Sequence, residues 1–245
     1  MCSYIQSANQ AGPRLGSVEQ SNPLATIKVF RDLTSEALEQ FAKRCHLQRY
    51  HPKTMILEFG EVSTDVFFII KGRVQVTYYS EWGREVTFGD YREGDLFGEV
   101  GIHGLPRSAS VFAVTETLTA VMAGTHFQAI VRDNSQVASA LIASLAETIR
   151  GLEKRVIEMS TLTVQKRIYA ELLRLAQQSS PIGQDKVAII LPAPTHADIA
   201  SRVSTHREAV TRALNELIRR GLIEKRGRTM VIRDITALNS MVDRS

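Results

Sequence analysis

The hydrophobic rhythm changes four times along the chain. Residues 1–24 show no apolar period; Ser7 to Ser21 is polar with Gly and Pro, and reads as a mobile N-terminal tail. Thr34-Ser35-Glu36 predicts the start of a short helix carrying Leu38, Phe41 and Ala42 on one side. From Met55 to Met122 the texture becomes β-rich. Short runs at Met55–Leu57, Val66–Ile70, Val74–Tyr79, Glu85–Tyr91, Ser110–Val114 and Leu118–Met122 are separated by turn signals such as Lys71-Gly72, Trp82-Gly83 and Glu93-Gly94-Asp95. Many short strands at this spacing predict a sandwich or barrel.

After Asp133-Asn134, which predict a cap, Ala138, Ile142, Leu145, Ile149, Leu152, Val156 and Met159 alternate spacings of four and three. That heptad seam fits a helix paired with another helix, and the flanking Glu147, Arg150, Glu153, Lys154 and Arg155 favour a homodimer. The other reading is an amphipathic helix lying on its own barrel. A further helix is predicted from Arg167 to Gln177, then a Ser/Pro/Gly loop over Ser179–Asp185 and a strand at Val187–Leu191.

Two capped helices in quick succession follow. Thr195 with Asp198 three residues on predicts a capping box, and Thr205 with Glu208 repeats the device, so this stretch reads as a helix-turn-helix. The second helix segregates Val210, Leu214, Leu217 and Ile218 as a buried stripe from Arg207, Glu208, Thr211, Arg212 and Asn215. Leu222–Lys225 and Met230–Ile232 then pair about Gly227 as a basic wing. Arg near the start of such a helix can bond guanine O6 and N7, and Glu can accept from cytosine N4. The competing reading is a surface helix with stray charges.

Charge sharpens this picture. The net charge is +4, and residues 195–245 carry all of it, with 10 Lys+Arg against 6 Asp+Glu. A basic C-terminal module points toward a polyanion, although by charge alone a solvated basic surface fits as well; together with the helix-turn-helix the polyanion is double-stranded DNA. At 245 residues and 44% hydrophobic content the chain supports two modest domains. The apolar runs are too short for a membrane span, and the N-terminus has no secretory pattern. Cys2 and Cys45 are too few for a disulfide framework or an iron–sulfur cluster, which suggests a cytoplasmic setting. Cys45, His46 and His51 match no zinc spacing, so no metal is expected. No catalytic triad or carboxylate pair emerges, so no enzyme is expected.

A second cluster lies between strands: Phe97-Gly98-Glu99-Val100-Gly101, then Pro106-Arg107-Ser108-Ala109. Glycine admits close backbone approach, Arg107 offers a phosphate fork, Ser108 a hydroxyl, and Glu99 accepts from sugar hydroxyls. From the residues alone, an Arg107–Glu99 structural ion pair explains the pattern equally well.

These motifs, with Arg207-Glu208-Ala209-Val210-Thr211-Arg212, resemble the cyclic AMP receptor protein family over residues 25–235. The resemblance implies an α+β chain: tail 1–24, cyclic-nucleotide-binding β-roll (a jelly-roll barrel) 25–130, dimerisation helix 131–162 and winged helix-turn-helix 163–245. It implies that Glu99 takes the ribose 2′-hydroxyl, that Arg107 and Ser108 hold the cyclic phosphate, with Gly98 and Ala109 beside them, and that Arg207, Glu208 and Arg212 read bases. Thr205, His206, Thr211 and Arg226 complete the expected DNA surface, the half-site is TGTGA-like, and RNA polymerase is a partner. The effector is cyclic AMP, or cyclic GMP. The family's base-bonding Thr-Ser pair falls on Leu152-Glu153 here. Glu153 as an acceptor can take the amine of adenine or N1–H and N2 of guanine, which predicts weak discrimination against cyclic GMP; pairing with Arg150 is the alternative. Other outcomes are a regulator with another effector or none, or a nucleotide-binding adaptor that does not bind DNA.

Overall fold

A computed structural model of the chain describes residues 22–179 and 186–243. For residues 1–21 the expected tail lies outside the described residues, as does residues 180–185 of the predicted loop. Leu24, which the tail boundary had included, is buried in the core of the first domain.

That domain opens with helix α1 (Ser35–Ala42), started by the Thr34 hydroxyl accepting from the Ala37 amide. Eight strands follow: β1 (Cys45–Tyr50), β2 (Met55–Leu57), β3 (Val66–Lys71), β4 (Arg73–Tyr79), β5 (Glu85–Arg92), β6 (Leu96–Phe97), β7 (Ser110–Ala113) and β8 (Thr117–Met122). They form two antiparallel four-stranded sheets, β1-β8-β3-β6 and β2-β7-β4-β5. Phe67, Ile69, Val74, Phe97 and Val121 fill the space between them. Strand β5 is the outer edge of its sheet, and so is free to meet other parts of the chain.

Strands β1 and β6 and helix α2 escaped the sequence reading, as did the C-terminal helix Ile235–Asp243. Strand β1 is polar and exposed on an edge, so it carries no alternation. Helix α2 (Gly124–Asp133) buries only Gly124, Phe127 and Ile130, too short a stripe to stand out. Helix α3 (Ser135–Thr161) then runs for 27 residues. Asn134 stands at its N-cap position but does not cap it; the side-chain amide donates to the Ile130 carbonyl at 2.9 Å and closes α2 instead.

The C-terminal domain comprises α4 (Val164–Ser179), β9 (Ala188–Ile190), α5 (His196–Arg202), α6 (Arg207–Arg219), β10 (Ile223–Arg226), β11 (Thr229–Ile232) and α7 (Ile235–Asp243) around its own core. The Thr195–Asp198 capping box at α5 forms in both directions. The second predicted cap does not form. Ser204 turns the chain at φ +51, and α6 starts only after His206, with no side-chain cap. The helix ends at Gly221, φ +69, where the Leu222 amide reaches back to the Leu217 carbonyl at 2.9 Å. Ile218, expected in the buried stripe, is exposed, whereas Val210, Leu214 and Leu217 are buried. β10 and β11 pair as the wing, with Arg226 opposite Thr229 across Gly227.

Candidate functional site

Between the β-roll and α3 lies a cavity of about 360 Å³. Its β-roll wall includes Gly98, Glu99, Gly101, Arg107, Ser108 and Ala109. Arg107 is 4% exposed. Its Nε donates to Ser63 Oγ at 2.9 Å, Nη1 to the Gly98 carbonyl at 2.6 Å and Nη2 to the Asp65 carbonyl at 2.9 Å. A guanidinium has five protons, so two remain for a ligand. Both glycines are required for this seat. Gly98 sits at φ +89, and a Cβ at Gly101 would lie 2.5 Å from Arg107 Nη1. Burial lowers the Arg107 pKa, opposed by Glu61, Asp65 and Glu99. Burial raises the Glu99 carboxyl, partly offset by a backbone hydrogen bond and by Arg107. The Arg107 fork bonds the β-roll backbone and Ser63; no Arg107–Glu99 ion pair forms among the described residues.

The opposite wall comes from α3 through Leu145, Thr148, Ile149 and Leu152. Glu153 is not in this lining. It is exposed and lies along the α3 seam with Ile149, Leu152, Val156 and Ile157, unpaired with Arg150. Tyr91 and Thr148, which the sequence reading did not single out, are the other polar side chains of the cavity.

The second surface is α6 and the wing. Arg207, Glu208 and Arg212 are exposed and make no ion pair among the described residues, while Arg219 and Arg220 are both engaged by Glu216. The uncommitted charge therefore sits at the N-terminal, reading end of the helix. His206 is exposed and Thr205 half-buried. Thr211 is tied inward: its hydroxyl donates to the Arg207 carbonyl at 3.0 Å and meets His196 Nδ1 at 2.8 Å. Burial, with Lys225 and Arg207 nearby, lowers the His196 pKa and favours the neutral ring. Arg226 is held by Glu224 through Nε at 2.7 Å and Nη2 at 3.1 Å.

The cyclic nucleotide-binding domain family matches residues 47–134, and the Crp-like helix-turn-helix domain family matches residues 166–241. The cAMP-activated global transcriptional regulator Vfr of Pseudomonas aeruginosa is 31% identical over 201 residues, covering 80% of this chain and 92% of Vfr. The chain belongs to the CRP family. The cAMP-activated global transcriptional regulator CRP of Escherichia coli O157:H7 is 31% identical over 202 residues, 81% of this chain and 95% of that protein. Two solved structures share the fold: FixK2 from Bradyrhizobium japonicum (TM-score 0.72, 21% identity, 82% of this chain and 98% of that one) and a CooA mutant from Carboxydothermus hydrogenoformans (TM-score 0.73, 20% identity, 93% and 98%). This CRP-family chain is thus a transcription regulator with a cyclic-nucleotide-binding domain and a DNA-binding helix-turn-helix.

Strand β5 touches both functional halves of this CRP-family chain. Phe88 and Tyr91 line the cavity, while Thr87 and Asp90 meet the C-terminal domain. Thr87 Oγ1 and Ser201 Oγ are 2.9 Å apart, and Arg202 Nη2 grips both Asp90 oxygens at 2.8 and 2.7 Å. Arg202 also lies 3.6 Å from the fully buried Glu171, which Arg174 pairs and Arg155 approaches at 4.0 Å. Arg155 had been read as a polar flank of the seam. It instead turns inward and donates to the Thr87 and Phe88 carbonyls at 2.8 and 2.6 Å. Arg174 closes the circuit on Glu158 of α3 at 2.7 Å. Three arginines and three carboxylates thus join β-roll, long helix and DNA-reading domain.

Proposed function

We propose that the protein is a cytoplasmic, homodimeric regulator gated by cyclic AMP, binding a two-fold symmetric operator with TGTGA-like half-sites and acting with RNA polymerase rather than catalysing a reaction. The observation that carries the ligand class is the pinned Arg107 fork facing a cavity that also holds Glu99 and Ser108. The fork suits one phosphate, and a carboxylate close by suits a sugar hydroxyl but repels a second phosphate. Gly98, Ala109 and Leu152 shape the same cavity, and Glu153 belongs to the seam. No helix among the described residues is long and apolar enough to cross a membrane. Calorimetry of the full chain with cyclic AMP and cyclic GMP, followed by gel shift over a salt series, tests the reading. Saturable nucleotide binding that promotes salt-sensitive DNA binding supports it; the absence of either counts against it.

The dimer rests on α3. Ile142, Ile149, Val156 and Ile157 are all more than half exposed, a stripe that one chain leaves uncovered. Pairing two copies through it sets the recognition helices about 34 Å apart, one DNA turn. Val156→Glu, outside the nucleotide cavity, places two carboxylates face to face in the seam, and sedimentation should shift to monomer. A dimer that persists would move the interface elsewhere.

Base reading divides the cationic residues. Arg207→Ala should cost ~1–3 kcal/mol and relax preference at one guanine per half-site. Arg226→Ala should weaken operator and random DNA alike, and only slightly, because Glu224 already neutralises it. Equal loss for both DNAs in Arg207→Ala would make Arg207 a phosphate contact.

A further inference from the structure

A second recess, of about 750 Å³, lies between the β-roll and the DNA-reading domain and shares no lining residue with the nucleotide cavity. Three cationic side chains of its lining are uncommitted. Lys53 and Arg73 of the β-roll and Arg228 of the wing turn make no ion pair or side-chain hydrogen bond among the described residues. The acidic residues of the same lining are all engaged. Asp90 is gripped by Arg202, Asp95 takes Lys28 and the Arg92 amide, and Asp198 accepts from the Thr195 amide. The charge left over in the recess is therefore positive.

The three cations stand on pinned backbone. Lys53 sits at φ +72, a left-handed conformation that disfavours lysine, and its amide donates to the Ala113 carbonyl at 2.7 Å. Arg73 is anchored at the same end of β7: its carbonyl accepts from the Val114 amide at 2.8 Å, and its amide donates to Thr115 Oγ1 at 3.0 Å. The Arg228 carbonyl accepts from the Ala193 amide at 2.7 Å, which ties the wing turn to another part of the lining. Arg73 Nε and Arg202 Nε, both on residues of the recess, are buried with no hydrogen-bond partner among the described residues. A buried N–H calls for an acceptor. Leu191 and Pro192, both exposed, add apolar surface to the same lining.

We propose that this recess is a second ligand site, for a nucleoside di- or triphosphate whose phosphate groups bridge Lys53 and Arg73 of the β-roll to Arg228 of the wing. Guanidinium forks and an ammonium suit phosphate oxygens. A run of two or three phosphates carries the charge to meet three cations, whereas a cyclic nucleotide brings a single negative charge. The nucleoside lies against Leu191 and Pro192. Bound there, the ligand ties the wing to the β-roll and favours this arrangement of the two domains. A DNA backbone can also meet the exposed Lys53 and Arg228. The orphaned guanidinium nitrogens within the recess favour a ligand small enough to enter it.

Calorimetry of the full chain with ATP and AMP, in excess cyclic AMP and without divalent cations, tests the site. ATP should bind saturably, one per chain, and more weakly as salt rises. AMP, with the same nucleoside but one phosphate, should bind at least about tenfold more weakly. Lys53→Gln, Arg73→Gln and Arg228→Gln should each weaken ATP roughly three- to tenfold and leave cyclic AMP affinity unchanged. Lys53→Arg should retain ATP. Lys53 and Arg228 are exposed, so those two variants carry the test whatever Arg73→Gln does to folding. The absence of saturable ATP binding overturns the proposal. So does AMP binding as tightly as ATP, or ATP affinity untouched in both Lys53→Gln and Arg228→Gln. Gel shift with short- and long-flanked operators identifies the rival occupant. If wild type does not bind ATP, and Lys53→Gln weakens only the long-flanked operator, the cations serve the DNA backbone and the proposal falls.

Discussion

Arg107→Leu should lose at least two orders of magnitude in cyclic-nucleotide affinity and also lower the melting temperature of the β-roll. The two effects share a cause. The guanidinium offers the ligand a sheltered, charge-assisted pair, worth ~3 kcal/mol when lost, or about a hundredfold in affinity. It also satisfies the Gly98 and Asp65 carbonyls and Ser63 Oγ from a nearly buried position. Leucine fills part of the volume but leaves those acceptors without a partner, at ~1–3 kcal/mol for each that stays dry. Calorimetry reads the first effect and thermal unfolding of the ligand-free protein the second. Arg107→Lys separates them: it keeps a charge near the phosphate but loses the planar fork that reaches two carbonyls at once. A stable Arg107→Leu protein with undiminished affinity would remove Arg107 from the site.

Arg202→Leu should be the most damaging single change outside the cavity. It strands Asp90, whose side chain is nearly buried, and removes one of the three arginines around the fully buried Glu171, and an unpaired buried charge costs ~3–5 kcal/mol. The double variant Arg202→Leu with Asp90→Leu should recover part of that loss, because removing both partners leaves less charge unpaired. Denaturant unfolding of the four members of the cycle measures the pair. A functional consequence follows from position. Arg202 ends α5, and α6 with Arg207 begins five residues on, while Asp90 shares β5 with the cavity residue Tyr91. Loosening this joint should reduce the effect of nucleotide on operator affinity by ~1–2 kcal/mol, with the same factor lost from the effect of operator on nucleotide affinity. Identical nucleotide dependence in wild type and Arg202→Leu would show that coupling runs through another route.

Much of the architecture was legible because it is local. Short β-rich runs bounded by turn signals placed six strands within about one residue of their observed ends, since strand propensity and turn chemistry are properties of neighbouring residues. The Thr195–Asp198 capping box and the polar face of α6 were visible for the same reason. Where the local signal was weak or ambiguous, the reading drifted. The polar edge strand β1 had no alternation to detect, and the Thr205 cap gave way to a left-handed turn at Ser204 that no propensity demanded.

The site divides along the same line. The sequence by itself singled out Gly98, Glu99, Arg107 and Ser108 as one cluster, the polar face of α6 and the heptad spacing of the long helix. It left open whether Arg107 would be spent on Glu99 and what Glu153 would meet, and it set Arg155 on the polar flank of the seam. The tertiary structure decided each of these. Arg107 lies against the Gly98 and Asp65 carbonyls, Arg155 turns to the edge of β5, and Glu153 stays on the seam while Tyr91 and Thr148 enter the cavity. Arg202 and Asp90 are 112 residues apart, and Arg155 and Phe88 are 67 apart. A charge has no periodicity that marks its distant partner, so which pairs form depends on how the β-roll, the long helix and the DNA-reading domain pack, and on which charges that packing removes from water.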